Sequence, residues 1–192
     1  MAVQGWIVAA AFVSLIALVL TRVALLRRRG IEAFLFGATH KSDAVLVPCI
    51  LAVIYCVTAP GLGWPIWRPL VARFWSSPMP GWVGVVCCLA AVAGLAWTLK
   101  SFGDSFRVGI DDQHPAALVT TGAFAHSRNP IYVCFVLFIL GLFLTQHNLI
   151  TALLLVLFPA VVHRQVLREE RFLAVHYGEE FADYRRTVRR YL

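Results

Sequence analysis

The chain has 192 residues, of which 60% are hydrophobic and only 14% charged, with a formal net charge of +7. Soluble domains carry about 45–50% apolar and about 25% charged residues, so this composition excludes an ordinary soluble fold and points to a membrane protein. The length suits one domain. The basic residues flank apolar runs, which fits lipid headgroups and membrane orientation rather than nucleic acid.

The first apolar run covers residues 6–20, extends to 26, and closes on Arg27, Arg28 and Arg29. A cleaved signal peptide would carry its charge in front and a small-residue cleavage site behind. Here the charge follows, so a retained transmembrane helix is expected. The second run, 44–60, contains Pro48, which neighbouring helices can accommodate by satisfying the freed carbonyl. Trp64, Trp67, Trp75 and Trp82 follow among several prolines, in an expected interfacial loop with its indoles at headgroup level. The third run, 81–99, includes Gly84, Ala90, Ala91, Ala93, Gly94 and Ala96, small residues that let helices approach closely in lipid. Cys49, Cys56, Cys87, Cys88 and Cys134 all fall in apolar runs without the Cys/His spacing of a zinc site. They read as small core or lipid-facing residues.

Residues 100–129 form a mixed loop too polar to span. Two further apolar runs, 131–144 and 149–162, are separated by Thr145, Gln146, His147 and Asn148. Each gives about 21 Å of helix, short of the roughly 20 residues that a full span needs. They are expected to pair as a short helical hairpin, so their outer ends emerge together on one side. The stretch after Arg164 places Leu167, Phe172, Leu173, Tyr177, Phe181 and Tyr184 on one face and charges opposite. That pattern predicts a cytoplasmic amphipathic helix interrupted at Gly178. The predicted fold is an all-α integral membrane protein with about five transmembrane helices, one domain over 1–192. With the amino terminus outside, fifteen Lys and Arg residues lie inside and only Arg68 and Arg73 outside. The positive-inside rule then puts both ends of the hairpin on the cytoplasmic face.

Those ends are polar. HSRNPIYVCF, residues 126–135, precedes the fourth run, and HRQVLREERF, 163–172, leaves the fifth. Asn129–Pro130 disfavours helix, so backbone amides nearby are expected to stay free and to bind an anionic group together with Arg128. Glu169 and Glu170 would hold a cation or a ribose diol. A plainer reading makes Arg128 a topology anchor and pairs Glu169 with Arg164 or Arg168. The residues alone leave both open.

The ordered motifs LVTTGAFAHSRNPIY, two apolar stretches, then EERFLAVHYGEEFADYRRTVRRY resemble the isoprenylcysteine carboxyl methyltransferase and phospholipid methyltransferase superfamily. The resemblance runs from about residue 100 to the end. It implies an integral membrane enzyme that uses S-adenosyl-L-methionine, with three helices in 1–99 and a cofactor-binding catalytic half in 100–192. Carried over, the cofactor contacts are Ala117, Leu118, Val119, Phe124, Arg128, Asn129, Pro130, Tyr132 and Glu169. The catalytic candidates are His126, Arg128, Gln165 and Glu170. Asn129 stands where the family usually has His, Phe124 where it has Tyr, Cys134 where it has Gly. Gln165 replaces the Arg of members that methylate a prenylated carboxylate, with Arg164 one residue earlier.

The expected acceptor is lipophilic and enters from the bilayer: a prenyl-cysteine, phosphatidylethanolamine, a quinone-like lipid or a small thiol. A carboxylate needs no base, whereas an amine or thiol needs one, for which His126, His163 and Glu170 are candidates. Arg107, Asp111 and Asp112 are candidates for the acceptor side. The Ala-, Val- and Arg-rich composition suggests a bacterial cell membrane. Rival expectations are an NADPH-dependent membrane sterol or lipid reductase and a non-enzymatic scaffold.

Overall fold

The computed structural model describes residues 3–30, 51–55, 58–59, 68–103 and 117–192. Among them the regular structure is helical: α1 (Val3–Arg28), a single turn α2 (Arg68–Val71), α3 (Met79–Phe102), α4 (Pro130–Gln146), α5 (Leu149–Tyr177) and α6 (Glu179–Thr187), with a 3-10 turn at Gly122–Ala125. The second predicted span lies largely outside the described residues, as do Trp64, Trp67, Arg107, Asp111 and Asp112.

Among the described residues, three helices are long and apolar enough to cross a membrane: α1, α3 and α5; α4 is a shorter apolar helix. Their side chains face outward without penalty in lipid. Trp6, Val13 and Leu20 on α1 and Val83, Val86 and Leu89 on α3 are exposed. What holds such helices together is close packing rather than water expulsion. The tightest crossing joins α3 and α4, and glycine makes it. A Cβ on Gly84 would lie 2.5 Å from the Gly141 carbonyl, and one on Gly141 would lie 2.6 Å from both the Gly84 carbonyl and Cys88 Sγ.

The helix directions follow from polar contacts at the ends. Gln4 Nε2 donates to the Pro78 carbonyl (3.1 Å) where α1 and α3 begin, and Arg22 donates to the Gly103 carbonyl where α3 ends. α1 and α3 therefore run parallel.

α4 starts at Pro130, where a missing N–H costs nothing because the first turn has no intrahelical acceptor. It ends at His147, in the left-handed region at φ 33°. Asn148 then caps α5: Thr151 N–H donates to its side chain (3.0 Å) while the Asn148 N–H donates to Thr151 Oγ1 (3.3 Å). This reciprocal cap fixes the turn of the predicted hairpin. Asn148→Ala should lower stability by about 1 kcal/mol, read as a shift in thermal denaturation. Trp75 is half-buried beside this turn, stacked on His147 at 4.4 Å and edge-on to Phe143 at 5.8 Å.

The sequence separates a fifth span ending at residue 162 from a cytoplasmic helix after Arg164. The structure joins them in the 29 residues of α5. No helix breaker stands between Val162 and Gly178, and Arg, Gln, Leu and Glu are good helix formers. The polar half thus extends rigidly from the apolar half. The break comes at Gly178, whose φ of 52° suits a residue with no Cβ. α6 folds back, burying Phe181 and Tyr184 beside Phe124, with Leu118, Val119, Leu173 and Tyr177 packed around them.

Candidate functional site

The carboxy-terminal ends of α1 and α3, the start of α4 and the polar half of α5 share one end of the bundle. The predicted clusters meet there. Ser101, near the end of α3, accepts from the Ala123 amide (3.1 Å), which anchors the 3-10 turn. The Phe124 ring lies edge-on to Phe102 at 4.6 Å, and its carbonyl accepts from the Tyr184 hydroxyl at 2.7 Å. Burial pushes the Tyr184 phenol up to about 12, so it remains a hydrogen-bond donor.

Asn129, at φ −132° and ψ 52°, is held out of the helix by Pro130 as expected. The amides around it are not free. Arg128 N–H donates to the Arg189 carbonyl (3.0 Å) and Asn129 N–H to Ser127 Oγ (3.1 Å). The expected anion site made of free amides is thus replaced by a turn already satisfied from within the protein. The physical reason is twofold: the carboxy-terminal tail lies against the turn and supplies the acceptor for Arg128, and Ser127 folds its hydroxyl back to supply the one for Asn129.

Arg128 is likewise engaged. Its Nε donates to Glu170 Oε1 (3.1 Å) and its Nη1 to the Arg185 carbonyl (3.2 Å). Glu170 also takes two bonds from Arg190, Nε at 3.0 Å and Nη2 at 2.8 Å on Oε2. The Glu170 and Arg128 side chains are 7% and 9% exposed, that of Arg190 33%. Hydrogen bonding to Glu170 raises the proton affinity of Arg190 above its ordinary value. A carboxylate flanked by two guanidinium groups is a weak base, so this geometry gives Glu170, offered above as a general base, a holding role instead.

Glu169 points elsewhere, because successive helical residues diverge by about 100°. Its Oε1 accepts from the Tyr132 hydroxyl (2.5 Å) and from Gln165 Nε2 (3.1 Å), one turn earlier on α5. The adjacent glutamates are therefore divided: Glu170 closes a buried charge cluster, while Glu169 is a half-buried carboxylate oriented by a phenol and an amide. Such an oriented carboxylate can accept from an ammonium or a diol.

The other sequence-derived candidates scatter. Leu118 and Val119 pack on the Phe124 cluster, whereas Ala117 is exposed. Pro130 is buried as the first residue of α4. His126 is exposed with its ring 5.6 Å from that of Trp97, and His163 Nδ1 pairs with the Tyr191 hydroxyl at 2.7 Å. The residues missed were Arg190, Ser127 and the Arg185 and Arg189 carbonyls. The one available signal was the arginine-dense tail RRTVRRY, whose charges had been assigned to membrane orientation.

The phospholipid methyltransferase family model matches residues 79–180, more than half of the chain and the whole segment from α3 to Glu169 and Glu170. The cobalt-zinc-cadmium resistance protein CzcN of Cupriavidus metallidurans is 33% identical over 115 residues, 59% of this chain and 49% of that protein. The nickel-cobalt-cadmium resistance protein NccN of Alcaligenes xylosoxydans xylosoxydans is 30% identical over 131 residues, 64% of this chain and 61% of that protein. The chain thus spans between about half and three-fifths of these relatives. No solved structure matches it. On the family match, across the helices that build the site, the chain belongs to the phospholipid methyltransferase family.

Proposed function

We propose that this chain is an integral membrane methyltransferase that moves a methyl group from S-adenosyl-L-methionine to a lipophilic acceptor reaching the site from the bilayer. Family membership supports methyl transfer, and the apolar helices support a membrane location. The observation that carries the choice of donor is the pair of glutamates at the base of the hairpin, one locked in an ion cluster and the other oriented beside it.

The residues present fit this donor. Glu169 would accept from its ribose diol or ammonium group. Arg128 has five N–H donors, of which one meets Glu170 and one the Arg185 carbonyl, and another would serve a carboxylate. Phe124, Leu118 and Val119 supply an apolar wall. When bound, the donor supplies an electrophilic methyl on a sulfonium centre, displaced in line by the acceptor's lone pair. The protein's part is to align the two and exclude water. Gln165 holds Glu169 rather than presenting a cation, which favours acceptors other than a carboxylate. His126, exposed beside Trp97, is the candidate to take the proton of an amine or thiol. The Arg-rich end that holds the site would face the cytoplasm of the cell membrane. An NADPH-dependent reductase and a scaffold are the competing readings, and family membership favours neither.

The test is transfer of labelled methyl from S-adenosyl-L-methionine into organic-extractable lipid by membranes containing the chain. Glu169→Ala should reduce incorporation at least tenfold, about 1.4 kcal/mol of transition-state stabilisation. Equal incorporation with and without the Glu169 carboxylate would overturn the proposal.

A further inference from the structure

The carboxy-terminal tail makes several polar contacts with the site. After α6 ends at Thr187, residues 188–191 turn back across the start of α4. The Arg189 carbonyl accepts from the Arg128 amide (3.0 Å), and the Arg190 carbonyl from Asn129 Nδ2 (3.1 Å) and Ser127 Oγ (3.4 Å). The Arg190 side chain grips Glu170 through two nitrogens, and the Tyr191 hydroxyl meets His163 Nδ1 at 2.7 Å. One short strand of backbone therefore ties the turn before α4 to the polar half of α5, the two elements that carry the donor-site residues.

We propose that residues 188–191 are a clasp for the methyl-donor site, and that Arg190 is a positioning residue acting through Glu170. The proposal rests on the methyltransferase reading above and names a residue outside the matched family segment. Arg190 fixes the Glu170 carboxylate from one side, which lets its other oxygen hold Arg128 Nε. Arg128 is thereby held at the mouth of the hairpin, next to Asn129 and one turn from Tyr132, the partner of Glu169. Without Arg190, Glu170 can follow Arg128 into other rotamers, and the donor-binding groups lose their shared reference. Arg190 itself need not touch the donor.

The experiment uses the full chain in detergent. Binding of S-adenosyl-L-methionine is titrated for the wild type, Arg190→Ala, Arg190→Lys, Glu170→Gln and the Arg190→Ala/Glu170→Gln double variant, with a thermal melt of each. Hydrogen exchange of the peptide containing the Arg128 amide is followed in parallel, which needs no ligand. Arg190→Ala should weaken binding at least tenfold and speed exchange at Arg128, and Arg190→Lys should fall between it and the wild type. The double variant should bind no more weakly than Glu170→Gln alone, because both substitutions break one linkage. Unchanged affinity in Arg190→Ala, or additive losses in the double variant, would overturn the positioning role. Should Arg190→Ala fail to fold, Arg190→Lys carries the same test. If the wild type binds no S-adenosyl-L-methionine, the donor reading fails. Exchange at Arg128 then decides the clasp alone: faster exchange in Arg190→Ala sustains it, and unchanged exchange removes it.

Discussion

Glu170→Ala should destabilise the protein by about 3–5 kcal/mol, the range for removing one partner of a buried ion pair. The cost arises from what is left behind. Arg128 and Arg190 would remain as two guanidinium groups with no counter-charge between them, and Arg128 is almost wholly buried. Their mutual repulsion adds to the desolvation of each. Glu169→Ala makes the sharp comparison, one residue away on the same helix. It removes a half-buried acceptor for Tyr132 and Gln165, a loss of about 1–3 kcal/mol, the range for leaving such a donor without its acceptor. Thermal melts in one detergent should therefore rank the pair clearly, with Glu170→Ala much the less stable. Similar melts would mean that the Arg128–Glu170–Arg190 cluster is not formed as described.

The second large effect is expected at the α3–α4 crossing. Gly84→Leu places a Cβ 2.5 Å from the Gly141 carbonyl, 2.6 Å from Thr145 Oγ1 and 3.0 Å from the Leu144 Cβ. Two of these neighbours are backbone or the stem of a helix residue, which cannot swing aside. The helices must separate, with a loss of about 1–3 kcal/mol or more from overpacking, together with the close contacts that substitute for hydrophobic drive in lipid. Ala90→Leu adds similar bulk on the exposed face of the same helix and should be near neutral. If Gly84→Leu melts within error of Ala90→Leu, glycine is not what brings α3 and α4 together.

These expectations show which parts of the fold are legible from residues alone. The runs 6–26 and 81–99 were readable because some twenty apolar residues in sequence have few alternatives to a membrane helix. Gly84 and Gly94 in the run 81–99 correctly announced a close crossing, and His147 and Asn148 correctly marked a turn. The hairpin then made the meeting of Arg128, Asn129 and Tyr132 with Glu169 and Glu170 a consequence of topology. Continuity of α5 past Val162 was not legible in hydropathy, which falls there, although helix formation depends on the absence of a breaker until Gly178. Nor could the pattern tell which glutamate turns inward. Adjacent helical residues differ by about 100°, and the outcome depends on how α5 is rotated against α4. The satisfied amide at Arg128 was not legible because its acceptor comes from a tail some sixty residues later, whose path after Thr187 obeys no periodicity, and that at Asn129 because Ser127 turns its hydroxyl back onto it.

The most direct test of the proposed chemistry is calorimetric titration of S-adenosyl-L-methionine into the detergent-purified chain, with Glu169→Ala and NADPH as parallel titrations. Saturable binding of S-adenosyl-L-methionine that is lost in Glu169→Ala, without saturation by NADPH, is the expected result. A folded wild-type chain that fails to saturate with S-adenosyl-L-methionine while binding NADPH would contradict it.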